Sequence, residues 1–182
     1  YKFIINAIGD HNILNGTASI IASKLVGVKN ISINKALINY IGVKRRFTFL
    51  GNKNKALVYD DYAHHPTEIL ATLNAAKNLN NKIIVVFQPH RFSRTKILMK
   101  EFVKVLSKIN FLILLETYSA GEKKIKGATS RDIYLNVLKV NSNIIYLDKL
   151  NKLNSSLKKY TMKKNTIIFM GAGSITNIAK KY

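Results

Sequence analysis

Asp60, Asp61 and Glu68 bracket two histidines in the stretch Asp60-Asp61-Tyr62-Ala63-His64-His65-Pro66-Thr67-Glu68. The whole chain has only 9 acidic residues and 4 histidines in 182, so this concentration is hard to assign to chance. Adjacent carboxylates at a strand end repel one another unless a cation, a metal or a donor-rich ligand sits nearby. The same stretch also reads as a helix cap, with Thr67 and Glu68 as first-turn acceptors. A metal held by His64 and His65 is disfavoured: adjacent side chains rarely aim at one point, and no further ligand has suitable spacing.

A second group is Phe87-Gln88-Pro89-His90-Arg91-Phe92-Ser93-Arg94-Thr95. Two guanidinium forks and an imidazole suit a carboxylate or a phosphate. Arg91 and Arg94 stand three apart, a spacing that shares one helix face. A helix opening here adds free backbone N–H groups and the positive end of its dipole. Solvated surface arginine is the plain alternative. Another arginine pair, Arg45-Arg46, lies within Gly42–Phe47. Asn12 and Asn15 share a helix face, and paired amides can read an adenine edge. With 20 Asn in the chain, that pair alone is a weak signal. Gly171-Ala172-Gly173-Ser174 resembles the start of a dinucleotide loop but lacks the third glycine; a tight strand-to-helix turn beside a ligand suffices.

These loops need elements to hold them. Leu14, Ala18, Ile21 and Leu25 recur at helical spacing after Asp10, with Gly27 as a stop, and a second helix fits 32–41 with Ser32 as N-cap. Residues 1–8 are β-rich. Residues 47–50 and 56–59 read as strands around a turn at 51–54. Pro66 suits the first turn of a helix running to about 79. Residues 83–87 and 111–115 are short continuous apolar runs, the mark of strands buried on both faces. Helices are expected at 93–107, 130–140 and 150–159, and strands at 144–147 and 166–170. Strands alternating with helices from residue 47 onward imply a doubly wound, mostly parallel α/β sheet, which binds ligands at the C-terminal ends of its strands.

Composition sets outer limits. The formal charge of +21 first suggests a polyanion partner. However, 25 of the 30 basic residues are Lys, and Lys, Ile and Asn together make 69 of 182 residues. Those are the amino acids of A- and T-rich codons, so codon bias explains the charge better than a nucleic-acid surface does. The lysines are scattered, without interleaved aromatics. No apolar run nears the ~18–20 residues of a membrane span. The absence of Cys removes disulfides and thiolate metal sites. A cytoplasmic α/β protein with neither nucleic acid nor membrane as partner is expected.

In order, HN-x-x-N (11–15), GVKRRF (42–47), DDYAHHPTE (60–68), FQPHRFSRT (87–95), SAGE (119–122) and GAG (171–173) resemble the C-terminal part of the Mur ligase family. The resemblance covers essentially the whole chain. FQPHRFSRT is similar to the alanine-adding branch; the muropeptide-recycling branch carries a different sequence there, and folylpolyglutamate synthase shares only the architecture. The resemblance implies a three-domain enzyme that activates the carboxylate of UDP-N-acetylmuramate as an acyl phosphate with ATP. The amine of L-alanine then displaces phosphate. Mg²⁺ would offset phosphoryl charge, with its ligands in a part of the enzyme that this chain lacks.

By the same resemblance, Asn12 and Asn15 match positions facing ATP, with His11 beside the adenine. Arg46 matches an arginine reaching the nucleotide, and Asp61 an acid of the ATP site. Tyr62 and His64 match positions lining the cleft. His90, Arg91 and Arg94 match the group around the incoming alanine. Residues 1–46 would be the incomplete end of the central ATPase domain, and 47–182 the Rossmann-like C-terminal domain. The chain has no glycine-rich phosphate loop ending in Gly-Lys-Ser/Thr and no UDP-binding domain. It is therefore expected to be inactive alone and to work with those missing domains. A basic nucleic-acid-binding module and a non-catalytic remnant are the alternatives.

Overall fold

The computed structural model describes residues 1–6, 10–40 and 42–182; the side chains of Asp10 and His11 lie outside the described residues, and so does the adenine contact expected at His11. The chain divides into two units, Tyr1–Lys44 and Arg45–Tyr182. The division falls two residues before the expected boundary, so Arg45 and Arg46 both belong to the second unit.

The first unit contains α1 (Asp10–Leu25) and α2 (Asn30–Ile38). Residues 1–6 form no strand despite their β-rich composition. They are tied to α2 instead, through Ile4 N–H to Asn34 Oδ1 (3.1 Å) and Asn6 N–H to the Leu37 carbonyl (3.3 Å). α2 begins earlier than expected: its N-cap is Lys29, with no side-chain bond, rather than Ser32. The apolar stripe of α1 does not face a core. Leu14 is 71 % exposed and Leu25 82 %, and two short helices have too little surface to cover it.

In the second unit the described residues form a six-stranded sheet in the order β1-β2-β6-β3-β4-β5. The strands are β1 (Thr48–Lys53), β2 (Ala56–Asp61), β3 (Lys82–Phe87), β4 (Phe111–Leu115), β5 (Ile144–Leu147) and β6 (Asn165–Met170). β1 and β2 form an antiparallel hairpin that turns at Asn54, tighter than the sequence suggests, with Gly51 inside β1 at a register shift. All other pairs are parallel. Parallel pairing explains the continuous apolar runs, because each strand must bury both faces.

The two-residue pleat sorts those side chains. Val85, Phe87, Leu112, Leu114 and Ile168 pack with α3 (Pro66–Lys77), α5 (Met99–Leu106) and α6 (Ser130–Leu138). Ile84, Val86, Ile113, Ile167 and Phe169 pack with α7 (Leu153–Lys158) and α8 (Ile175–Lys181) on the other face. The helix expected over 93–107 is two, α4 (Phe92–Ile97) and α5, broken at Leu98 (φ −104°, ψ 21°). No Gly or Pro marks that break in the sequence. A 3₁₀ turn at Leu150–Lys152 precedes α7.

β6 lies between β2 and β3 but leads into α8, whose buried side chains join the face opposite α3 and α5. Chain leaving β6 therefore diverges from chain leaving its neighbours at the C-terminal rim, the place where such sheets take ligands. The core that holds this rim is tight: Phe102 is fully buried, its ring centroid 5.9 Å from that of Phe87. Phe102→Ala is expected to cost ~3–5 kcal/mol in urea denaturation. Leu14→Ala on the uncovered stripe should stay within ~0.5 kcal/mol.

Candidate functional site

Asp60 and Asp61 end β2, and the pleat points them to opposite faces. Asp60 accepts from the Thr176 hydroxyl on α8 (3.2 Å) and lies 3.8 Å from Arg45 Nε. Asp61 accepts from the backbone N–H groups of Phe47 and Ala63, both at 2.7 Å. The expected repulsion is thus relieved by geometry, with no ligand needed. Burial raises both carboxyl pKa values. For Asp60, Thr176 and Arg45 oppose the rise; for Asp61, the Ala63 and Phe47 amides and the Thr72 hydroxyl do. Asp61 is 3 % exposed, so it grips the backbone beside Arg46 and Tyr62 rather than opening onto the rim.

Arg45, which sequence reasoning noted only as one of a pair, organises the first loop. Its Nη2 donates to the Gly171 carbonyl (2.8 Å), and its guanidinium lies 4.5 Å from the Tyr62 ring centroid. Its carbonyl accepts from Tyr62 N–H (2.7 Å). Arg46 is half-exposed, 3.6 Å from Glu68 Oε1 and 5.7 Å from the Tyr62 ring centroid. Glu68 also completes the cap of α3 that the sequence suggests. It accepts from His64 and His65 N–H, while His65 Nδ1 accepts from Thr67 N–H. Burial alone would raise the Glu68 carboxyl; the His64 amide, the His64 ring, the His65 amide and Arg46 outweigh it and bring the pKa down.

From Tyr62 a row of rings crosses the rim: Tyr62 to His64 (5.1 Å), His64 to His90 (5.8 Å), and His90 stacked on Tyr118 (5.4 Å, 15°). The partners of the two histidines assign opposite tautomers. His64 Nδ1 faces the Tyr62 carbonyl (2.9 Å) and Glu68 Oε2 (3.3 Å), both acceptors, so Nδ1 carries a proton and, in the neutral ring, Nε2 is the acceptor. His90 Nδ1 faces Arg94 Nη1 at 3.4 Å, which only donates, so the neutral ring has Nε2–H. Burial lowers the His90 pKa, and Arg94, His64 and Arg91 lower it further, against an upward pull from Glu122.

Arg91 has φ 71° and ψ 134°. A non-glycine residue held there costs about 1–3 kcal/mol and persists only where its surroundings fix it. The helix N-terminus expected to take a ligand anion is already capped from within: Glu122 accepts from Ser93 N–H (3.0 Å) and from the Ser93 hydroxyl (2.5 Å). Gln88 links the rim beneath, accepting from Ile175 N–H at 3.1 Å. A Cβ on Gly173 would stand 2.6 Å from Tyr118 Cγ, so the GAG turn serves close packing. Arg46, Tyr62, His64, His90, Arg91 and Arg94 thus belong to segments at one rim, Arg94 on the first turn of α4. Asn12 and Asn15 are on α1 in the other unit, Asn12 partly buried and Asn15 exposed.

Residues 45–173 match the family described as "Mur ligase, glutamate ligase domain". The chain belongs to the Mur ligase family. Among its Mur ligase relatives, the UDP-N-acetylmuramate–L-alanine ligase of Carboxydothermus hydrogenoformans is 40% identical over 174 residues, 95% of this chain. That of Dictyoglomus turgidum is 41% identical over 175 residues. The chain spans 38% of the length of each. The crystal structure of the UDP-N-acetylmuramate-alanine ligase of Thermotoga maritima superposes on all of the chain and on 39% of its own length, with TM-score 0.81 and 27% identity. A murein peptide ligase from Psychrobacter arcticus shares the fold over 98% of this chain and 37% of its own, with TM-score 0.72 and 24% identity. No described helix is long and apolar enough to cross a membrane.

Asp61→Asn is expected to destabilise this Mur ligase unit by ~1–3 kcal/mol in denaturation, because an amide NH₂ must then face a backbone N–H. His90 should titrate below the ordinary histidine value of about 6.5, followed by NMR of its ring protons. Arg94→Ala, which removes a neighbouring cation, should move the midpoint up. Since the folded pKa is depressed, the His90 contribution to stability is full above about pH 6.5 and is lost as pH falls through the folded value.

Proposed function

We propose that the chain is the C-terminal part of an ATP-dependent ligase that joins L-alanine to UDP-N-acetylmuramate in peptidoglycan precursor synthesis, a cytoplasmic step. The observation that carries this reading is the convergence of His64, His90, Arg91 and Arg94 on one rim. The names of the relatives support it. Arg91, Arg94 and the Nε2–H of His90 offer only donors, which suits the carboxylate of alanine. The bare Nε2 of His64 suits a proton acceptor for the alanine ammonium, which must lose a proton before it can attack.

The reaction would run as follows. ATP transfers its γ-phosphoryl group to the muramoyl carboxylate, supplying a leaving group. The alanine nitrogen then forms the C–N bond as the carbon–oxygen bond to phosphate breaks. Arg46 and Tyr62 face the nucleotide in this reading, and Asp61 acts on the same loop by gripping Phe47 and Ala63. Asn12, Asn15 and His11 would meet the adenine from α1. Mg²⁺, when bound, would offset charge on the phosphoryl groups. In this reading its ligands belong to the domains outside this chain. Residues 1–44 then belong to the ATPase domain, in keeping with the exposed stripe of α1.

The test supplies the N-terminal and central domains in trans and measures phosphate release that depends on ATP, alanine and UDP-N-acetylmuramate. Arg94→Ala should raise the alanine KM ~10–100-fold, the worth of a charge-assisted hydrogen bond. An unchanged KM would sink the carboxylate clamp. No release from a folded, associated pair would leave a non-catalytic remnant as the reading.

A further inference from the structure

The segment 117–122, leaving β4, runs beside the loop that carries His90, Arg91 and Arg94. Tyr118 N–H donates to the Pro89 carbonyl (2.8 Å), and Arg91 N–H donates to the Tyr118 carbonyl (2.9 Å). These contacts form a short parallel bridge between His90 and Tyr118, whose rings stack. Four residues on, Glu122 takes both donors of Ser93. Ser93 lies between the two arginines in sequence, directly after the first turn residue of α4. Contacts with this segment thus fall on both sides of the strained Arg91 backbone, which supplies the fixing that its conformation needs.

We infer that Glu122 is a positioning residue for the rim: it locks Ser93, and through it holds Arg91 and Arg94 at the separation that receives the amino-acid carboxylate. Glu122 touches no substrate in this account. Its carboxylate does two things at once. It fills the N-terminal turn of α4, so an incoming anion is directed to the guanidinium groups instead of the backbone amides. It also sets the direction in which α4 leaves the loop, and with it the fan of the two arginines. The inference rests on the proposed alanine-binding role for its functional consequence, but its structural half stands apart from that role.

The structural half is read on the chain itself. Glu122→Ala should abolish hydrogen-exchange protection of the Ser93 amide and shift the His90 ring protons as the Tyr118 stack loosens. Glu122→Gln keeps one acceptor and should retain part of both signals. Ser93→Ala, which leaves the carboxylate in place, should reproduce the loss of the hydroxyl contact and guards against a Glu122→Ala chain that does not fold. The functional half is read with the missing domains in trans. Glu122→Ala should raise the alanine KM about tenfold while kcat and the ATP KM change less than about threefold, with Glu122→Gln between it and the native chain. Unchanged Ser93 exchange and His90 shifts in folded Glu122→Ala would overturn the inference. So would altered shifts with an unchanged alanine KM in an active pair. If the native pair shows no alanine-dependent activity, the alanine reading fails, while the exchange and ring shifts still decide whether Glu122 holds the loop.

Discussion

Gly171 joins three strand ends at a point where a side chain has no room. Its φ is 150°, and a Cβ there would stand 2.6 Å from the Gln88 carbonyl oxygen. Its N–H donates to the Asp61 carbonyl at 3.0 Å, and its own carbonyl accepts from Arg45. Next to it, Gln88 N–H donates to the Met170 carbonyl. One residue without a Cβ therefore lets the ends of β2, β6 and β3 approach closely enough to share hydrogen bonds. The loops carrying Tyr62, His64, His90, Arg91 and Arg94 leave from these ends, so the rim inherits its dimensions from that approach.

Charge on the rim is arranged by burial and by the pleat rather than by number. The net charge of +21 is spread over scattered lysines, but the rim uses four arginines and places three of them against defined partners. Arg45 is held by Gly171 and Tyr62, Arg46 faces Glu68, and Arg94 faces His90. Arg91 keeps an exposed side chain on a strained backbone. The acids, scarce as they are, are spent inside the fold: Asp61 on two amides, Glu68 on a helix cap, Glu122 on Ser93. What faces outward is mainly donor, broken by the bare Nε2 of His64. In the function proposed above, that asymmetry would suit an anionic amino acid with a transferable amine proton.

Much of the architecture was legible beforehand because the physics is local. Continuous apolar runs at 83–87 and 111–115 can only be strands covered on both faces, and Pro66 with Glu68 marks a helix start. The misses share a cause. The stripe of α1 reads as a core face, yet periodicity reports amphipathicity and says nothing of what covers it. The break at Leu98 has no Pro or Gly to announce it. Ser32 is a good cap type, but the chain enters α2 earlier. In each case the outcome depends on surroundings that local propensity does not encode.

The sequence by itself determined which residue types crowd into which loops, and that those loops lie at the C-terminal ends of parallel strands. It also placed Tyr62 and Glu68 within four residues of His64. Only the tertiary structure decided that Asp60 and Asp61 point apart, that Arg45 spans 126 residues to Gly171, and that Glu122 reaches 29 residues back to Ser93. Spacing along the chain specifies a face and a period. Contacts between separate strand ends depend on the order of strands in the sheet, and that order is set by how all the crossovers pack at once.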